Sequence, residues 1–269
     1  MDKVNFPNTK INWPKMDKKN STDKKTSETF NLLENYRGII SPYIFTNIVI
    51  SYKSDDERFI LSRMQQILSG TLLRSLYVRN GIADAINSRN MVSLFSNLKS
   101  FIEVPALLFY FYSVLNENLP NDKLLDKLLN IVFGNKGDGQ LRVGTRESVN
   151  ILSMFEKMDK YIKKLSKKLG GDKKNKDLST VMTDFYGIVC NASHPNYDAH
   201  DIIGIFDSEE GLWRGLEPKE FKKSMITDAP RYTAPLHMTI VMTELACQLI
   251  SGHKKIDNFK KLKSLNYFS

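Results

Sequence analysis

Cysteine is almost missing from this chain: Cys190 and Cys247 are the only two in 269 residues. Two thiols without metal-ligand spacing exclude a zinc cluster and a disulfide framework, and they read as reduced, buried groups of a cytoplasmic protein. Histidine is also sparse. His194, His200, His237 and His253 form no HExxH, so neither a metal nor a cofactor is expected. Acidic excess is absent, because 30 Asp+Glu face 39 Lys+Arg for a net charge of +9, a balance that favours an anionic partner. No uninterrupted apolar run reaches the roughly 20 residues of a membrane span. The first residues, MDKVNFPNTK, lack an apolar signal-peptide region, so no membrane association is expected. The glycine-rich stretch from Gly134 to Gly144 is followed by no Gly-Lys-Ser/Thr and reads as a connector rather than a phosphate cradle. No internal repeat and no nucleophile-elbow signature is visible.

What the chain does have is helical periodicity. Residues 1–30 carry many lysines and few apolar anchors, and are expected as a disordered or loosely docked basic arm; residues 31–269 are expected as a single helical domain. Asn31 to Tyr52 is rich in isoleucine and aromatics without clean alternation, and is expected to be extended or mixed. Ser54, followed by Asp55, Asp56 and Glu57, opens a helix bearing Ile60, Met64, Ile67, Leu68, Leu72 and Leu76. The stretch from Ser88 to Asn116 changes from an amphipathic half to one that is apolar nearly all round, the pattern of a helix entering the middle of a domain. Ser88 is placed to cap it, and Pro105 predicts a kink or break near Val104. The two long helices are expected as an antiparallel pair, giving an all-α antiparallel helical bundle with a long central hairpin. Further helices are expected from Asn121, from Thr145, over Leu178 to Ala192, and from Pro235 to Ser251. Asp201–Leu216 reads as a minor β-hairpin insertion, and Met225–Leu236 as irregular.

Two features carry candidate chemistry. Lys157, Lys160, Lys163, Lys164, Lys167 and Lys168 form one basic helix face, with no aromatic residue interleaved for stacking; a solvated face is expected. The second feature is the helix end Asn191-Ala-Ser-His194-Pro195-Asn196-Tyr197. Proline disfavours helix at the preceding residue, so His194 should sit where the helix stops, facing the negative end of its dipole. It is then either a helix cap or a general acid/base, with Asn191, Asn196 and His200 as polar neighbours.

Three stretches, Asn97–Glu103, Val149–Met154 and Phe185–Tyr197, resemble an uncharacterised bacterial group of the HEPN superfamily, all-helical proteins that include abortive-infection proteins and toxins. The resemblance implies a defence or toxin–antitoxin component, with RNA or a nucleotide, another protein, or a second copy of the chain as partner. Active HEPN ribonucleases carry an Arg followed, four to six residues later, by a His. No arginine lies between Arg146 and His194, whereas Arg231-Tyr-Thr-Ala-Pro-Leu-His237 has the spacing. The expected reading is a non-catalytic binding protein; the alternative is a metal-independent endoribonuclease using His194 or the Arg231/His237 pair. The resemblance also groups Glu103, Asn150 and His194. A carboxylate entering the most apolar helix needs a partner, and His194 and Asn150 are the expected ones.

Overall fold

The computed structural model describes residues 8–12, 21–45, 57–133, 149–168, 180–193, 204–207, 209 and 211–256. Among these the chain is all-α apart from one two-stranded ribbon. The helices are α1 (Ser21–Ile40), α2 (Glu57–Ser88), α3 (Met91–Asn116), α4 (Asn121–Phe133), α5 (Ile151–Lys168), α6 (Val181–Ser193), α7 (Pro218–Thr227) and α8 (Ala229–Ser251), with a short 3-10 turn at Ser41–Tyr43. The ribbon pairs β1 (Gly204–Asp207) with β2 (Leu212–Gly215) in antiparallel register, Gly204 opposite Gly215 and Phe206 opposite Trp213. That is the expected insertion. A Cβ on Gly204 would lie 2.3 Å from the Trp213 ring, so the tryptophan folds diagonally onto the bare glycine.

The chain divides into two compact units. One is built from Met1–Ile39, Arg74–Glu103 and Thr180–Val241, the other from Ile40–Leu73, Val104–Ser179 and Met242–Ser269.

In the first unit, α1 replaces the extended segment expected after Asn31, and it starts at Ser21, inside the stretch read as a basic arm. Its buried stripe is Thr26, Thr29, Phe30, Leu33, Tyr36 and Ile40, a helical spacing hidden by two threonines and a tyrosine at core positions. The Tyr36 hydroxyl donates to Ser75 Oγ at 2.9 Å, and its ring meets Phe101 edge-on at 5.0 Å. Residues 8–12 dock through their backbone. Thr9 N–H donates to Asn80 Oδ1, Ile11 N–H to Glu34 Oε1 and Asn12 N–H to Asn87 Oδ1. Asn87 Nδ2 returns a bond to the Lys10 carbonyl at 2.8 Å. Buried Arg79 donates to the carbonyls of Leu33 and Thr9, holding the arm against α1 and α2.

The turn between α2 and α3 is two residues, with Arg89 at φ 58°. Asn90, rather than Ser88, caps α3: its Oδ1 accepts from Ser93 N–H at 2.9 Å, while the Ser88 hydroxyl donates back to the Asp84 carbonyl. Close packing follows the turn. A Cβ on Gly81 would come 2.6 Å from Asn97 Oδ1, so glycine is what lets the Asn97 amide of α3 seat against α2 there. Pro105 does not break α3, nor Pro235 α8; each lies inside a continuous helix. The irregular segment expected over Met225–Leu236 is instead the junction of α7 and α8, where the Tyr232 hydroxyl donates to the Met225 carbonyl at 2.9 Å.

α3 is the one described helix long and apolar enough to cross a membrane, and most of its apolar window is buried inside the protein.

Candidate nucleic-acid interface

In the second unit the basic face of α5 meets aromatic side chains of α3. Lys157, Lys160, Tyr161 and Lys164 follow one another at the three-and-four spacing of a single helix stripe, and Phe109, Tyr112, Ser113 and Asn116 form a matching stripe on α3. Together these eight residues line a groove of about 340 Å³. Tyr161 lies 5.1 Å from Phe109 and 6.0 Å from Tyr112 between ring centroids, the second pair nearly perpendicular at 89°. The three lysines are exposed. Burial, then the neighbouring Tyr112, pushes the Tyr161 phenol above its ordinary range, so the ring stays neutral at physiological pH.

The lysine stretch taken by itself hides this arrangement. Along α5, Tyr161 falls with the apolar face as readily as with the lysines, and its aromatic partners stand on a helix much earlier in the chain. The legible signal is the Lys-x-x-Lys-Tyr-x-x-Lys spacing, which places Tyr161 inside the lysine stripe.

The residues singled out from the sequence are dispersed. His194, Asn196 and His200 lie outside the described residues, and Asn191 is exposed in the last turn of α6. Glu103, half-buried, accepts a hydrogen bond from the Tyr186 hydroxyl of α6 at 3.3 Å. Asn150 is exposed and caps α5, its Oδ1 accepting from Leu152 N–H at 3.0 Å.

Arg231 and His237 sit on the unbroken helix α8, where six residues separate side chains by about 9 Å along the axis and about 120° around it. Arg231 is exposed, 3.8 Å from Asp228 Oδ1. His237 is half-buried against α1. The Thr29 hydroxyl spends its proton on the Lys25 carbonyl, so it meets His237 Nδ1 at 3.4 Å as an acceptor. Among the described residues, no group of three or more His, Cys, Asp and Glu side chains is arranged to hold a metal ion.

No family model, no curated protein and no solved structure matches this chain.

Proposed function

We propose that this chain is an HEPN-like helical protein of a bacterial defence or toxin–antitoxin type system that binds RNA or a nucleotide without cleaving it. The observation that carries the reading is the α3/α5 groove, in which Tyr161 and Tyr112 stand among Lys157, Lys160 and Lys164. Lysines beside a nucleic-acid strand neutralise phosphates and release counterions, while aromatic rings offer a sequence-tolerant face to bases. The defence setting rests on the resemblance of the three stretches. The non-catalytic reading is supported by Arg231 and His237, which point to different parts of the helix surface and have local partners of their own.

Titration of the full chain with a single-stranded RNA octamer at several salt concentrations tests this. Affinity falls steeply with salt, and Tyr161→Ala weakens binding by about 1–3 kcal/mol, the range of one base stacked on an aromatic ring. Lys160→Gln with Lys164→Gln weakens it further and flattens the salt dependence. Binding that ignores both substitutions overturns the reading. RNA cut by the wild-type chain and left intact by His237→Ala overturns its non-catalytic part.

A further inference from the structure

Tyr112 and Asn116 line a second groove as well as the first. This neighbour, about 580 Å³, runs between the end of α3, with Asn118 just beyond it, and the end of α8, and its far wall carries Gln248, His253, Lys254 and Lys255. Tyr112 is the ridge between the two. Its ring centroid is 6.0 Å from Tyr161 on one side and 6.1 Å from His253 on the other, near-perpendicular to both at 89° and 87°. The two grooves lie within one compact unit.

The charge of the two walls has one sign. Five lysines, Lys157, Lys160, Lys164, Lys254 and Lys255, face one carboxylate, Glu117, and that carboxylate is already paired with Lys127. Lys255 spends one N–H on the Glu117 carbonyl at 3.0 Å, which leaves two of its three donors for a ligand. Asn118 and Gln248 are exposed and add amide donors and acceptors.

Ligand pockets for small molecules run from about 300 to 1,000 Å³, so each groove alone has the size for one nucleotide. Two such grooves, joined over an aromatic ridge and lined by cations on both sides, have the form of a track rather than a pocket. We propose that the α3/α5 groove and the α3/α8 groove form one continuous site for a single-stranded oligonucleotide, which crosses Tyr112 and spans at least two nucleotides. The inference rests on the proposed function and adds to it the length and strandedness of the ligand and a second set of phosphate-binding lysines. A single strand is required because inside a duplex the base faces are already covered by neighbouring base pairs and are closed to the rings at the ridge.

The experiment is calorimetric titration of the full chain with uridine monophosphate and a uridine octamer. The octamer binds at least tenfold more tightly than the mononucleotide. Lys254→Gln with Lys255→Gln lowers octamer affinity about tenfold and leaves mononucleotide binding in the α3/α5 groove unchanged. The same double variant reduces the slope of log affinity against log salt by roughly 1.4, at about 0.7 for each phosphate no longer neutralised on a single strand. Lys254→Gln alone gives an intermediate loss, which guards against a structural effect through the Lys255 bond to Glu117.

An octamer unaffected by the Lys254/Lys255 double variant, or equal losses for both lengths, overturns the continuous track while the first groove stands. Insensitivity to Lys160→Gln with Lys164→Gln overturns the function on which the track rests. An octamer annealed to its complement binds more weakly, and equal affinity for the duplex overturns the requirement for unpaired bases.

Discussion

The Tyr186 hydroxyl donates to Glu103 Oε1 at 3.3 Å, which gives the carboxylate on the most apolar helix a partner from α6. Burial, then Cys190 and Glu103, pushes the Tyr186 phenol above its ordinary value of 10.0. Below pH 10 the neutral phenol keeps its full contribution to stability. Above it the unfolded chain loses the proton first, and that contribution is lost as pH rises toward the folded value. Tyr186→Phe removes the bond and costs about 1 kcal/mol in a chemical-denaturation midpoint. Glu103→Gln lets Tyr186 ionise at a lower pH in an ultraviolet titration, though still above 10.0, because burial is the largest cause. An unchanged titration would mean that the carboxylate and the phenol are not coupled.

Gly81 and Asn97 give a second, steric pair. In an exposed helix interior glycine to alanine gains up to about 1 kcal/mol, but here the new methyl group would meet the Asn97 amide at 2.6 Å. Gly81→Ala therefore destabilises, by about 1 kcal/mol, the low end of overpacking costs. Gly81→Ala with Asn97→Ala removes the obstruction and recovers the helix propensity, so the double variant is more stable than the sum of the two singles. Additive losses in thermal melts would refute the close approach as the reason for the glycine.

The thiol of Cys247 supplies an alkaline signature. It is buried in α8, and burial with Glu244 beside it moves its pKa from 9.0 to about 12. Stability from this group is complete below pH 9 and is lost as pH rises from 9 to about 12. The loss is up to about 4 kcal/mol, taking three pH units at about 1.4 kcal/mol each. Between pH 9 and 10, before the tyrosines titrate in the unfolded chain, wild-type stability declines, and Cys247→Ala declines less over the same interval. Equal slopes in urea denaturation across that interval would refute it.

The all-α class was legible because periodicity is strong where leucine and phenylalanine carry it. Met91, Leu94, Phe95, Leu98, Phe101 and Ile102 are all buried as their spacing implies. α1 was illegible for a physical reason: its buried face includes Thr26 and Thr29, residues that apolar periodicity does not register. The prolines misled in the other direction. Pro105 and Pro235 each remove one helical hydrogen bond, and both sit in helices whose neighbouring residues, Val104, Ala106 and Leu236, are buried, so packing holds the helix through the defect. The candidate groove escaped because two of its three aromatics, Phe109 and Tyr112, stand on a helix far in sequence from Tyr161 and the lysines. Spacing along one element cannot report what another element brings to it.

The hydrogen bonds that hold residues 8–12 fall on main-chain atoms: the N–H groups of Thr9, Ile11 and Asn12 and the carbonyls of Thr9 and Lys10. These bonds follow the path of the chain rather than the identity of its side chains. Side-chain changes at the exposed positions 8, 10 and 12 leave these bonds in place, with one prohibition along the segment, that proline at 9, 11 or 12 would delete a donor they use. Descendants of this protein would therefore diverge at the exposed positions of the arm while keeping Glu34, Arg79, Asn80 and Asn87 nearly fixed. The history of the arm would be written in the residues that hold it.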